Sequence, residues 1–265
     1  MAGQLRKPLS ETSLRTKIHN ISDFWNRISV VDITHSTQDD VLAEARSGAP
    51  DPRVLLAETQ LAGQGRRGRT WSAPARSSIM MSLLLRPRRP TEQWSMLSPL
   101  VAVALCDTLR SVAAVNATVK WPNDVLVDGA KIAGILAAVA DGSVVVGMGV
   151  NVSHNQDDLP ISSATSVALA NGSQTDRETL IVDFLRRFEE RYTEWEHSGA
   201  SSIVAAWRER SATLGQTVRV ELPGGEFLDG QATDINDLGG LLIKDGKGTV
   251  HTVTAAETVH LRPST

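Results

Sequence analysis

VKWPNDVLVDGAKIAGILAAVADGSVVVGMGVNV, residues 119–152, holds two Asp-Gly pairs, Asp128-Gly129 and Asp141-Gly142, each set between apolar runs. Asp-Gly suits the left-handed backbone of a two-residue hairpin turn, so the strands on either side are expected to pair antiparallel. A purely parallel sheet is disfavoured. The apolar density of 131–140 and 143–151 marks those strands as buried or nearly so.

Outward from this stretch, strand-like runs alternate with helical patterns. Upstream lie ISVVDI (28–33), a helix opening at Ser36 or Thr37, RVLLAET (53–59), IMMSLLL (79–85) and a long apolar helix over about 93–114. Downstream, Leu180, Phe184, Leu185, Phe188, Tyr192 and Trp195 recur at three- and four-residue intervals, the apolar stripe of core helices over 175–210. After Gly215 the texture changes to short alternating strands broken by Gly-Gly, Asn-Asp and Asp-Gly turns, which reads as a small antiparallel barrel. The expected architecture is α+β, with a mixed, mostly antiparallel sheet and helices over 1–212 and a barrel over 213–265. Residues 1–27 form an extension with room for one short helix, Ser10 to His19, and none for a helix-turn-helix, so specific DNA binding is not expected.

With 41% hydrophobic and 22% charged residues the chain has globular composition. Its apolar strands are too short to cross a bilayer and its N-terminus lacks the apolar run of a secretion signal, so no membrane partner and a cytoplasmic address are the default expectations. The single cysteine, Cys106, sits in an apolar helix and reads as buried, and the six histidines are scattered without ligand spacing. No structural metal is expected.

The net charge of −3 is unevenly spread. Gln60 to Thr91 carries seven arginines and no acid, leaving −10 for the rest of the chain. The run opens with Gly63-Gln64-Gly65-Arg66-Arg67-Gly68-Arg69-Thr70-Trp71, where guanidinium forks and unobstructed backbone N–H groups suit an anion. The glycine spacing matches the dinucleotide fingerprint, but Pro74 and the next strand follow where that fingerprint needs a helix, and no acid appears until Glu92. A P-loop is excluded because no four-residue spacer leads into Gly-Lys-Ser/Thr. A nonspecific RNA-binding face is the reading from charge alone; Trp71 beside Arg66, Arg67 and Arg69 favours a nucleotide. Arg86, Arg88 and Arg89, flanked by Pro87 and Pro90, read as solvated surface charge.

Lys120-Trp121-Pro122-Asn123-Asp124 and Lys131-Ile132-Ala133-Gly134-Ile135-Leu136 put polar groups into apolar strands. A lysine among such neighbours either snorkels at a sheet edge or faces an anion. Gly134 is expected on the opposite face of a regular strand from Lys131. With Ser36-Thr37, Gln60 and Gly147 to Val152, these motifs resemble those of biotin protein ligases, in the same order and at compatible spacing over about residues 28–263. The resemblance implies a class II synthetase-like catalytic domain with an SH3-like C-terminal barrel, in a monofunctional form without a DNA-binding domain.

By that resemblance, biotin and ATP give biotinyl-5'-AMP, and the acyl group passes to a lysine of a biotin carboxyl carrier protein. Ser36, Thr37, Gln38, Gln60, Gly63, Gln64, Arg66, Lys131 and Gly134 are implied for biotin. Arg66, Arg67, Arg69, Trp71, Asn123, Lys131 and Asn151 are implied for ATP and the adenylate. Lys131, Arg66 and Arg69 would act electrostatically and Asp124 on the incoming lysine; Mg²⁺ comes with ATP and no metal is fixed by the protein alone. Ser36 and Thr37 also suit helix N-caps, and Asp124 also suits a cap or an ion pair. Gln64 replaces an arginine usual in the family and Gln38 an asparagine. A lipoate or octanoate ligase shares the fold and is the alternative. Oligomeric state, monomer or weak dimer, stays open.

Overall fold

The computed structural model describes residues 6–222, 224–255 and 260–263. In chain order the first part of the molecule comprises α1 (Glu11–His19), β1 (Ile28–Thr34), α2 (Thr37–Arg46), β2 (Arg53–Gln60), β3 (Gly63–Gln64), β4 (Thr70–Trp71) and β5 (Ser78–Leu85). Then come α3 (Leu97–Val112), β6 (Ala117–Lys120), β7 (Asp124–Val127), β8 (Ala130–Ala140), β9 (Ser143–Asn151), α4 (Arg177–Ser198) and α5 (Ser201–Arg210). Both Asp-Gly pairs make the expected turns, with φ of 49° and 81° at Asp128-Gly129 and 46° and 71° at Asp141-Gly142. Positive φ at both central positions matches the strand twist. A seven-stranded sheet results, in the order β1-β2-β5-β9-β8-β7-β6.

Only β1 and β2 pair parallel; every other neighbour pair is antiparallel. The exception follows from α2, which carries the chain back between them. Ser36 caps α2 by accepting from the Asp39 N–H, so the capping role falls to Ser36, while Thr37 is the first helical residue. At α1 the Ser10 hydroxyl does the same for Ser13.

Strand β9 shows how one sequence serves two faces. Val144, Val146 and Met148 belong to the large core beneath α1, α3, α4 and α5, whereas Val145 packs with Val41, Ala45, Leu55 and Leu84 under α2. Next along the α2 face come Gly147 and Gly149, where the strand offers no side chain. The helical stripe of α4 is buried as expected, from Leu180 to Trp195, and so is Cys106, whose thiol burial pushes up to about 12. Thr91–Val112 is apolar and long enough to span a bilayer, longer than the strands weighed from sequence, but it is the central helix of the layer and packs on α4, α5 and β6.

Two expectations need correction. Arg86 and Arg89 are not solvated charges: Arg86 donates to the Ala49 carbonyl at 2.7 Å and to Asp51 at 3.2 Å, and Arg89 Nε donates to the Trp195 carbonyl at 2.9 Å. Neighbouring prolines keep this segment off the ladder, and the guanidiniums satisfy the carbonyls and the carboxylate that result. Gly134 does not face away from Lys131. Leu126 pairs with Lys131 and Val125 with Ala133, so Ile132 is an extra residue in β8. This bulge returns Lys131 and Gly134 to one side, and a Cβ on Gly134 would lie 3.3 Å from Lys131 Nζ.

Beyond α5, the strands β10 (Thr217–Glu221), β11 (Phe227–Ile235), β12 (Leu241–Lys244), β13 (Val250–Val253) and β14 (His260–Pro263) form an antiparallel sheet in the order β13-β12-β11-β10-β14. Val218, Val220, Ala232, Leu241 and Ile243 fill its core. Trp121 fastens it to the main sheet, its N–H donating to Thr213 Oγ1 at 3.0 Å and its indole to the Gly239 carbonyl at 2.9 Å.

Candidate active site

Most of the residues singled out in the sequence converge on the α2 side of the main sheet, around a cavity of about 260 Å³ that Gly63, Arg67 and Asp124 do not line. Its floor is polar and buried. Parallel pairing sets Gln60 beside the start of α2, where Gln60 Oε1 accepts from the Thr37 N–H at 2.8 Å and from its hydroxyl at 3.0 Å. Thr37 in turn accepts from Ser82 Oγ at 2.9 Å. Gln38 donates to the Val145 carbonyl at 3.1 Å, which turns Oε1 toward Gly147; a Cβ there would come within 2.4 Å of it. Because both amides are fixed by backbone partners, the floor presents a donor at Gln60 Nε2 and an acceptor at Gln38 Oε1.

The glycine-arginine loop is a hairpin. Gly63 pairs with Trp71 and Gln64 with Thr70 across a 3₁₀ turn at Arg66–Gly68. Gly63 is required by crowding, since a Cβ would fall 2.5 Å from the Trp71 carbonyl. Gln64 Nε2 donates to Asp39 at 2.7 Å, tying the hairpin to α2. Arg66 reaches Asn123 Oδ1 at 3.4 Å and the Ala255 carbonyl, which lies beyond β13, the last strand of the 217–253 segment. Burial, and then the nearby Arg67 and Arg69, hold the Arg66 guanidinium below its ordinary value, with Asp124 acting the other way. Arg69 lines the cavity; Arg67, held at φ 56°, is exposed and does not.

Trp71 covers the cavity wall where β8 and β9 carry cross-strand glycines. Gly134 and Gly149 are paired, and Cβ atoms on them would lie 3.3 Å and 2.4 Å from the indole. The indole Nε1 is buried with no hydrogen-bond partner among the described residues. Lys131 Nζ lies 5.9 Å from the ring centroid and 2.7 Å from Asp124 Oδ1, each side chain about one-quarter exposed. So the lysine meets an acid, a ring face and the cavity, and it does not snorkel away from them. Asn123 and Asn151 also line the cavity, their amides held by the carbonyls of Ile135 and Thr165.

Ser82, Ile161 and Ala164 line the cavity without having been among the candidate residues, and Gly147 and Gly149 line it having been singled out only as part of a motif. Ser82 had a signal: a lone hydroxyl within IMMSLLL, a strand buried at every position. Ile161 and Ala164 had none, because they arrive on an irregular segment that joins β8 only through the Lys131–Ala164 bridge.

The arrangement places an ammonium and two guanidiniums beside a small polar-floored, apolar-walled pocket, which suits an anionic group attached to a compact neutral one. Residues 30–155 match the model of the biotin/lipoate A/B protein ligase family, and residues 213–261 match the biotin protein ligase C terminal domain. Over 264 residues the chain is 42% identical to a biotin–[acetyl-CoA-carboxylase] ligase of Mycobacterium tuberculosis, covering 98% of each chain. It is 33% identical to the bifunctional ligase/repressor BirA of Bacillus spizizenii over 92% of this chain and 78% of that one. Among solved structures, the biotin protein ligase of Aquifex aeolicus in complex with biotin and ATP superposes with a TM-score of 0.78 at 23% identity, covering 91% of this chain and all of that one. This likeness shows the shared fold. On the extent of these matches, the chain belongs to the biotin protein ligase family.

Proposed function

We propose that this chain joins biotin to a lysine of the biotin carboxyl carrier protein of a carboxylase, through biotinyl-5'-AMP, with 1–212 as the catalytic unit and 213–265 as an appended one. The observation that carries the reading is Lys131, held by Asp124 at 2.7 Å against the face of Trp71, in a cavity that Arg66 and Asn123 also line. In the first step a biotin carboxylate oxygen attacks the α-phosphorus of MgATP, and the bond to the β-phosphate breaks to release pyrophosphate. Two anions must approach, and Lys131 with Arg66 and Arg69 offsets their repulsion in a partly dry site. Biotin's urea needs both a donor and an acceptor, which Gln60 Nε2 and Gln38 Oε1 supply; an acyl chain bearing a dithiolane, or none, would leave both unmet.

In the second step the acceptor lysine amine attacks the acyl carbonyl, the bond to AMP breaks, and Asp124 takes the amine proton. Trp71 covers the adenine in this reading. The test is exchange of radiolabel between pyrophosphate and ATP, expected with biotin and absent with lipoate or octanoate. Exchange supported by lipoate alone would overturn it.

A further inference from the structure

Two flanks from distant parts of the chain border the cleft. One is the return of the hairpin, residues 72–77, leading from Trp71 into β5. The other is the strap 152–167 after β9, which brings Ile161 and Ala164 to the cavity. At its far end the strap is pinned to the site itself, because the Lys131 N–H donates to the Ser163 carbonyl and the Thr165 N–H to the Lys131 carbonyl, both at 2.8 Å. Its near end is pinned behind the cleft to Ser77, whose carbonyl accepts from the N–H groups of Val152 and Ser153 at 3.1 and 2.9 Å.

Arg6 donates to the Ser153 carbonyl at 3.1 Å and to Asp158 at that near end, and one side-chain contact joins it to the hairpin return: Ser77 Oγ lies 3.1 Å from His154 Nε2, with both residues at most 1% exposed. Its polarity can be assigned. Ser77 has one hydroxyl proton, which goes to the Pro74 carbonyl at 2.6 Å, so the imidazole must be the donor through Nε2–H. Nδ1 is then the bare acceptor, and it has no partner among the described residues. A neutral ring agrees with the burial that pulls His154 down to about 4, against the pull of Asp158. The ring is also held from behind, where Ser166 Oγ donates to the His154 carbonyl at 2.8 Å. Neither Ser77 nor His154 belongs to a motif that carries the family resemblance, and neither lines the cavity.

We infer that Ser77 and His154 form a positioning pair: their hydrogen bond fixes the hairpin return against the strap, and so sets how long the acyl-adenylate is retained between its formation and its transfer. This rests on the reading that the cleft holds an acyl-adenylate. The pair touches no reacting atom. Its effect is on the separation of two covers that must stay closed after pyrophosphate has left and open to the acceptor lysine.

The experiment measures release of labelled biotinyl-AMP from the full-length protein, formed in place from biotin and labelled ATP with pyrophosphatase and chased with unlabelled substrates. His154→Leu should release it about five- to tenfold faster, the effect of one neutral hydrogen bond, and Ser77→Ala, which also loses the bond to the Pro74 carbonyl, at least as fast. The double variant should be no faster than Ser77→Ala alone. His154→Gln, whose amide nitrogen reaches the place of Nε2, should stay within about twofold of the wild type. Melting temperature is followed alongside; if His154→Leu does not fold, Ser77→Ala, which removes one oxygen, decides. Wild-type release from Ser77→Ala, multiplicative effects in the double variant, or a glutamine variant as leaky as the leucine one would each overturn the pair. A wild-type protein that forms no adenylate would overturn the functional reading itself, and the pair's role with it.

Discussion

Gly149→Ala should unseat Trp71. Gly149 has no left-handed backbone requirement, so alanine is tolerated by the strand, and the three nearest atoms to its Cβ, at 2.4, 2.7 and 2.8 Å, all belong to the Trp71 indole. The strand is central and cannot move; the indole sits at the end of a two-residue strand and can. Losing its seat exposes roughly 80 Å² of a ring that can bury about 200 Å², worth about 2 kcal/mol at ~25 cal/mol per Å². That shifts the opening equilibrium of the hairpin by about 30-fold. Arg66, Arg67 and Arg69 make the hairpin a trypsin substrate when open, and cleavage follows the open population while closing is fast. Cleavage within 66–69 should therefore rise about 30-fold while cleavage elsewhere stays at wild-type rates. In a Trp71→Ala background the same substitution should add nothing. Unchanged cleavage of Gly149→Ala, or a double variant cut faster than Trp71→Ala, would refute the reasoning.

Lys131→Ala should lower biotin-dependent pyrophosphate exchange by about 10²- to 10³-fold, the scale of losing one preorganised charge interaction. Its melting temperature should barely move, since the Lys131–Asp124 pair is partly exposed and worth at most about 1 kcal/mol. Exchange within tenfold of the wild type, or a collapsed melting temperature, would make the lysine structural. Glu178 supplies an acid-range prediction. Burial alone would raise its carboxyl, but donation from Lys17, Ser13 and the Ser10 N–H outweighs it and brings the group from 4.5 to about 2. A depressed folded value gives stability that is complete above about pH 4.5 and is lost as pH falls through 2. Glu178→Gln should flatten denaturant-measured stability over that window, and an unchanged slope would count against the assignment.

Elements with local causes were readable in advance. Asp128-Gly129 and Asp141-Gly142 carry their own turn geometry, Ser36 its cap, and the α4 stripe its period, and each is where the residues placed it. The cleft was readable as a set of motifs for the same reason: charged and amide residues inside apolar strands announce an unusual environment. What escaped has nonlocal causes. The bulge at Ile132 arises from how β7 meets β8, and it reverses the side on which Gly134 stands relative to Lys131. Arg86 and Arg89 look solvated until the fold brings Asp51 and the end of α4 to them. Ile161 enters the cleft on a segment with no periodicity to betray it.

The two bare positions of β9 tie substrate to strand alignment. Gly147 leaves room for Gln38 and Gly149 for Trp71, and each is level with a specific partner, Ser82 and Met80 on β5. Sliding β9 by two residues would preserve its inward and outward alternation and most of its apolar burial, so the core discriminates poorly against that error. The cleft discriminates sharply, because valine or asparagine would then fill one of the two gaps. On the function proposed above, biotin is a ligand of one alignment alone, and by mass action its presence during folding would favour the correctly aligned sheet over near-native competitors that the apolar core by itself would tolerate.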